Sequence, residues 1–270
     1  MERETIVFYS FSGNAMNYEP ELKTALVSAA KAGAAQLEFQ NDLKSIVLKD
    51  DRSPVTEVDR QCEKMIRDEL LEAYPQDGFL GEESGSHTGT SSRRWIVDPL
   101  DGTRPFIRGI PTFSVLIALE EDGIPVLGVI HLPALSLTCW ASRNRGAFLN
   151  GKRIHVSTVD NLEKTMGSAL GFVEKSDTRE GKQLFSLMGK CDYNYGFMDA
   201  FSYVCVAAGK LDFCVNLLDK AWDCAAAACI VTEAGGMFSD IKGVQSVHNG
   251  SFVLSNGILH NRILEFFGDN

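Results

Sequence analysis

The sequence predicts an α+β fold in which helices pack against sheets, and three observations carry that reading. The centre of the chain is rich in sequential strands, with apolar runs at Phe113 to Leu119 and Val126 to Leu132 flanking a polar Glu-Glu-Asp-Gly turn. Segments with helical periodicity lie on both sides of this centre, and strict βαβ alternation is absent. No internal repeat, low-complexity tract or linker divides the chain, so residues 1–270 read as one unit of two closely packed halves, about 1–155 and 156–270.

Taken in order, Glu21 to Gln40 carries Leu22, Ala25, Leu26, Ala29 and Ala30 at amphipathic-helix spacing. The polar stretch Lys49 to Asp59 is broken by Pro54, and Thr56 is placed to cap a helix through Cys62, Met65, Ile66, Leu70 and Leu71. Asp77 to Glu83 reads as a turn and a short strand ending in two acids, followed by a Ser/Gly/Thr-rich loop, Ser84 to Ser92, expected to be mobile. Beyond the first hairpin come a strand at Leu137 to Ala141 and a second hairpin in Gly146 to Ile154, turning at Asn150-Gly151. The second half predicts a charged helix around Glu174 to Lys190, an apolar helix at Ala200 to Gly209 and a short strand at Asp212 to Val215. An Ala-rich helix from Asp223 to Ala234 then ends at Gly235-Gly236.

Composition narrows the function. With 44% hydrophobic residues and no apolar run approaching the ~18 to 20 residues of a membrane span, the chain reads as soluble. A net charge of -10 argues against nucleic-acid or anionic-membrane partners, which call for clustered Lys and Arg. The seven cysteines are scattered and mostly set in apolar runs, unlike a disulfide framework or a zinc site, and read as reduced core thiols. The acidic N-terminus lacks a leader pattern, and a cytoplasmic location is expected.

The stretch Trp95 to Thr103, WIVDPLDGT, carries the chemistry. Three apolar residues form a buried strand, and Pro99 is expected to end it between Asp98 and Asp101. If Gly102 and Thr103 open a helix, their N–H groups form a phosphate seat beside two carboxylates that can hold a cation. An ordinary Asp-Pro turn with an Asp N-cap is the other reading of the same residues. Asp59, Glu82 and Asp223 share the same setting, each where an element begins or ends, so four or five acids can converge on one cleft and hold roughly two or three Mg²⁺ ions. Paired metals suit hydrolysis of a phosphate ester. Taken singly, each acid is equally a solvated or dipole-favoured surface charge.

Three blocks, GEES at Gly81 to Ser84, WIVDPLDGT at Trp95 to Thr103 and WDCAAAACIVTEAGG at Trp222 to Gly236, closely resemble the signatures of the inositol monophosphatase family in order and spacing. The resemblance implies a five-layered α-β-α-β-α sandwich, commonly a homodimer, that hydrolyses small phosphate monoesters with Mg²⁺. It also implies that Glu82, Asp98, Asp101, Asp223 and the Leu100 carbonyl bind metal, and that Asp59 helps hold a more weakly bound ion and, with Thr103, orients the attacking water. By the same resemblance Gly102 and Thr103 hold the phosphate through backbone N–H groups, and Lys49 is a basic residue near the site.

Arg104 and the segment YGFMDAFSYVCVAAGKLD look more like the histidinol-phosphate phosphatase branch, in which Asp199 would face the substrate. Asn216 stands where the family usually has an acid seven residues before Asp223, and Asp219 is a partial substitute. Histidinol phosphate is therefore the substrate implied first. Inositol phosphate, 3'-phosphoadenosine 5'-phosphate and a catalytically silent metal-binding scaffold remain as alternatives.

Overall fold

A computed structural model describes residues 18–40, 46–48, 54–196 and 199–268. Lys49 and the N-terminal stretch read for targeting lie outside the described residues. The chain enters through helix α1 (Glu19–Phe39), whose first turn carries Glu19 and Glu21 where the helix dipole favours acids. Its apolar face buries Ala25, Leu26, Ala29 and Ala32. Strands β1 (Ile46–Leu48) and β2 (Pro54–Thr56) form a small antiparallel pair, and helix α2 (Glu57–Ala73) starts directly after Thr56.

The predicted meander follows as β3 (Gly78–Gly81), β4 (Gly85–His87), β5 (Arg93–Asp101), helix α3 (Thr103–Arg108), β6 (Ser114–Glu121), β7 (Ile124–Leu132), β8 (Leu137–Ser142), β9 (Gly146–Leu149) and β10 (Lys152–Ile154). Among the described residues these strands make one sheet of eight in the order β10-β9-β8-β7-β6-β5-β3-β4, antiparallel except where β3 runs parallel to β5. Both hairpin turns are of the kind expected: Asp122-Gly123 and Asn150-Gly151 all have positive φ, which matches the twist of the flanking strands. Two expectations are corrected. The Ser84 to Ser92 segment contains β4, paired with β3, rather than being loop throughout. Pro99 does not end its strand, because β5 stays paired to Asp101 through an irregularity that absorbs the missing N–H.

The second half builds another sheet from β11 (Met166–Leu170), helices α4 (Phe172–Lys175) and α5 (Arg179–Met188), β12 (Tyr193–Tyr195), α6 (Asp199–Ala207), β13 (Phe213–Asn216), α7 (Ala221–Glu233), β14 (Met237–Ser239), β15 (Phe252–Ser255) and α8 (His260–Leu264). Its strand order is β12-β11-β13-β15-β14, with β11 parallel to both neighbours. The single charged helix expected around Glu174 to Lys190 is two helices, because the Thr178 hydroxyl accepts from the Gly181 N–H at 3.1 Å and caps a fresh start.

Alternation along the strands sorts the layers. Trp95, Val97, Val115, Ile117 and Val129 face α1 and α2, while Ile96, Leu116, Ala118 and Ile130 face α6 and α7. On the far side of α6 and α7, Cys214, Phe252 and Leu254 of the second sheet complete the middle core, and Phe213, Val215 and Val253 turn outward to α5 and α8. The result is helix, sheet, helix, sheet, helix. Helix α7 is buried all round between the two sheets, which is why its sequence is an Ala run without an amphipathic stripe. Beneath it, Ala118, Gly128, Ala141 and Ala147 stand in register across β6, β7, β8 and β9. A Cβ on Gly128 would lie 2.3 Å from the Ala226 carbonyl oxygen. All seven cysteines are free thiols, as read from the sequence. Among the described residues no helix is long and apolar enough to cross a membrane.

Candidate metal and phosphate site

Strands β3 and β5 leave the sheet at the same end, Gly81 paired with Val97, so Glu82 and Asp98 emerge side by side. Asp98 has the parity of Ile96 and therefore faces the middle helical layer. In a regular strand Asp101, three residues on, would face the other way. Instead Asp98 opposes Leu116 and Asp101 opposes Ser114, three steps on β5 against two on β6, and this one-residue bulge returns Asp101 to the same side. There they meet Asp223 in the first turn of α7, and one oxygen from each of the three lies within 4.8 Å of the others.

Each carboxylate is also held from behind. Asp98 Oδ1 accepts from the Leu100 N–H at 2.9 Å, Asp223 Oδ2 from the Lys220 N–H at 2.7 Å, and Asp101 Oδ2 from the Ser114 hydroxyl at 2.9 Å and the Ala200 N–H at 3.0 Å. Burial, followed by the charges of Glu82, Asp101 and Asp223, pushes Asp98 well above the usual carboxylate range. Asp101 is raised by burial and then Asp199, and Asp223 by burial and then Asp219. Glu82 stands outside the tightest group, but its charge reaches both Asp98 and Asp223.

Asp59, fully buried on α2, receives the Thr103 hydroxyl at 3.2 Å, and the same hydroxyl lies 3.2 Å from the Leu100 carbonyl. One hydrogen serves one acceptor at a time, so an occupied Leu100 carbonyl turns the hydroxyl to Asp59. The loop itself is pinned from α1, where Gln36 Nε2 donates to the Pro99 carbonyl at 2.7 Å. Gly102 precedes α3 at φ +78°, and a Cβ there would stand 3.1 Å from Asp199 Oδ2. Asp199 thus lies against the start of α3. Its own φ of +39° is strained for a residue with a side chain, and that bend delivers the Ala200 N–H to Asp101. Arg104 is exposed on α3 next to Thr103.

Asn216, at the end of β13, has its amide committed: Nδ2 donates to Asp219 Oδ1 at 2.5 Å and to the Tyr203 hydroxyl at 3.2 Å, and Oδ1 accepts from the Leu218 N–H at 3.0 Å. Asp219 is buried, also accepts from Tyr203 at 2.8 Å, and is pushed up to about 8 by burial. Sequence reasoning missed Gln36, Tyr203 and Glu63. Glu63 lies four residues after Asp59, one helical turn along the same face, and that spacing was the available signal.

The donors gathered here are carboxylate, carbonyl and hydroxyl oxygens, hard ligands of the kind Mg²⁺ takes. Buried like charges at this separation need a cation or protons to coexist, so the residues fit a divalent metal. The profile of the inositol monophosphatase family matches residues 17–269. A histidinol-phosphatase of Chlorobaculum parvum is 39% identical over 240 residues, covering 87% of this chain and 92% of the relative. One of Mycobacterium tuberculosis is 40% identical over 221 residues, covering 80% of this chain and 85% of the relative. The crystal structure of extragenic suppressor protein suhB from Bartonella henselae matches the fold with a TM-score of 0.86 at 31% identity, covering 93% of this chain and 99% of that one. With its signature blocks folded into one acidic cleft and the whole described chain following this architecture, the protein belongs to the inositol monophosphatase family and is a metal-dependent phosphomonoesterase.

Proposed function

We propose that the protein hydrolyses histidinol phosphate with Mg²⁺, as a homodimer in the cytoplasm, and that residues 1–270 act as a single catalytic unit. The observation that carries the substrate is Asp199, whose carboxylate stands against Gly102 at the start of α3 in a chain whose relatives include two histidinol-phosphatases. An anionic side chain beside the phosphate seat suits an alcohol that bears an ammonium group. The dimer rests on the family resemblance, and the location on the cysteine pattern.

In this reading Glu82, Asp98, Asp101, Asp223 and the Leu100 carbonyl hold roughly two ions, and Asp59 helps to hold a third, weaker one. When bound, Mg²⁺ supplies Lewis-acid activation of water and stabilises charge on the leaving oxygen. The chain's own residues do the rest. Thr103, donating to Asp59, keeps its oxygen lone pairs turned to the attacking water: Oγ1 accepts the water's proton as the hydroxyl's own proton passes to Asp59 Oδ1. Gly102 and Thr103 N–H groups hold the phosphate, with Arg104 as a neighbouring cation. Asp199 holds the ammonium end, while Asn216 and Asp219 shape the wall behind it.

The test is phosphate release from histidinol phosphate and from inositol 1-phosphate, with and without Mg²⁺, compared as kcat/KM. Histidinol phosphate should be preferred by a wide margin, and Asp199→Asn should erase most of that margin. Preference for inositol 1-phosphate would overturn the substrate reading while leaving the phosphatase intact.

A further inference from the structure

Glu63 is a buried carboxylate near the cleft whose two oxygens are both spent on main-chain N–H groups. It is 2% exposed. Its Oε2 accepts from the Glu83 N–H at 2.7 Å and its Oε1 from the Ser84 N–H at 2.6 Å. These are the two amides immediately after Glu82. On the other side, the Glu82 N–H donates to the Val97 carbonyl at 3.2 Å and continues the β3–β5 ladder. The backbone of Glu82 is therefore held by the sheet before it and by Glu63 after it. Two parallel N–H donors need two acceptors, and a carboxylate supplies both, whereas Gln would set an NH₂ against one of the N–H groups. The fit is close enough to dictate the preceding residue: a Cβ on Gly81 would lie 2.4 Å from Glu63 Oε2.

We propose that Glu63 is a positioning residue that aims Glu82 into the metal cluster, so that α2 governs the site twice, directly through Asp59 and at one remove through Glu63. This rests on the reading of Glu82 as a metal-binding side chain. A buried acid that merely stapled α2 to the β3–β4 turn would contribute to stability alone. One that aims a ligand also sets metal affinity, and removal of such supporting partners costs about 10- to 100-fold.

The experiment is Mg²⁺ titration by calorimetry and Mn²⁺ binding by electron paramagnetic resonance on the full chain, for wild type, Glu63→Gln, Glu63→Asp and Glu82→Gln. Both Glu63 variants should raise the Mg²⁺ Kd by about tenfold or more. Their maximal kcat should recover at saturating Mg²⁺, with substrate KM unchanged. Glu63→Asp keeps the charge but is one methylene too short to reach both amides, so it carries the test if Glu63→Gln does not fold. A Kd within about twofold of wild type in either folded Glu63 variant, with Glu82→Gln weakened, would overturn the positioning role alone. Wild-type affinity in Glu82→Gln would instead remove the ligand reading beneath it.

Discussion

Gly128→Ala tests whether close approach of α7 to the central sheet is what brings Asp223 to Asp98. The added Cβ would sit 2.3 Å from the Ala226 carbonyl oxygen, against 3.4 Å for the near edge of ordinary contact, so the helix must withdraw by about 1 Å. The obstacle is backbone and cannot rotate away. Overpacking of this kind costs about 1–3 kcal/mol, and the stiffer unfolded chain returns about 0.4–1 kcal/mol, so the net loss centres on about 1.3 kcal/mol and reaches at most about 2.6 kcal/mol. Calorimetry in excess Mg²⁺ should show Tm lower by about 2–8 °C. Because α7 carries Asp223 in its first turn, the same withdrawal should weaken Mg²⁺ binding by about tenfold, measured by titration. Gly189→Ala is the reference, since its Cβ would meet nothing closer than 3.5 Å: it should leave Mg²⁺ affinity unchanged and shift Tm only slightly upward, by the unfolded-chain effect of about 0.4–1 kcal/mol. Wild-type Tm and Mg²⁺ affinity in Gly128→Ala would refute the argument that the small-residue row sets the site.

Asp98→Asn should lower turnover by more than about 100-fold, as assayed by phosphate release, while the fold persists. Asp98, Asp101 and Asp223 are all held above their ordinary values, so in chelator their contribution to stability is full below about pH 4 and is lost as pH rises through the folded values. Urea melts in chelator should therefore show wild type weaker at pH 7 than at pH 5, with a shallower decline in Asp98→Asn. Equal slopes would contradict the mutual repulsion. Asn216→Ala removes donors from Asp219 and Tyr203 and should cost about 1–3 kcal/mol in the same melts. It should raise KM alike for histidinol phosphate and inositol 1-phosphate, and selective loss of one substrate would show the amide turned to the ligand instead.

Most strands of the first sheet could be read because they are long or flank a turn with its own chemistry, as at Asn150-Gly151 and Asp122-Gly123, whereas the exposed three-residue β4 carries neither signal. Of the second sheet only β13 (Phe213–Asn216) could be read, as the short strand at Asp212 to Val215. Met166–Leu170 interleaves Gly and Ser with three apolar residues, and Phe252–Ser255 is buried throughout, so neither shows a strand's alternation. Pro99 illustrates a local rule overridden: it removes a ladder donor, yet a bulge accommodates it, and the bulge is what turns Asp101 toward Asp98. The acids of the site were legible because they sit at element boundaries. Glu63 and Gln36 were not, since inside a helix a buried polar residue looks like any surface one until its partner across the fold is known.

The cleft draws Asp59 from α2, Glu82 and Asp98 from adjoining strands, and Asp223 from a helix that enters only after most of the chain has passed. No segment translated early contains a complete cation cage, and closing it requires contacts between residues far apart in sequence, the slowest kind to form. Newly made protein would thus acquire its secondary structure well before its affinity for Mg²⁺. In a refolding experiment the ion should arrive last, which makes its binding a timer for completion of the native state.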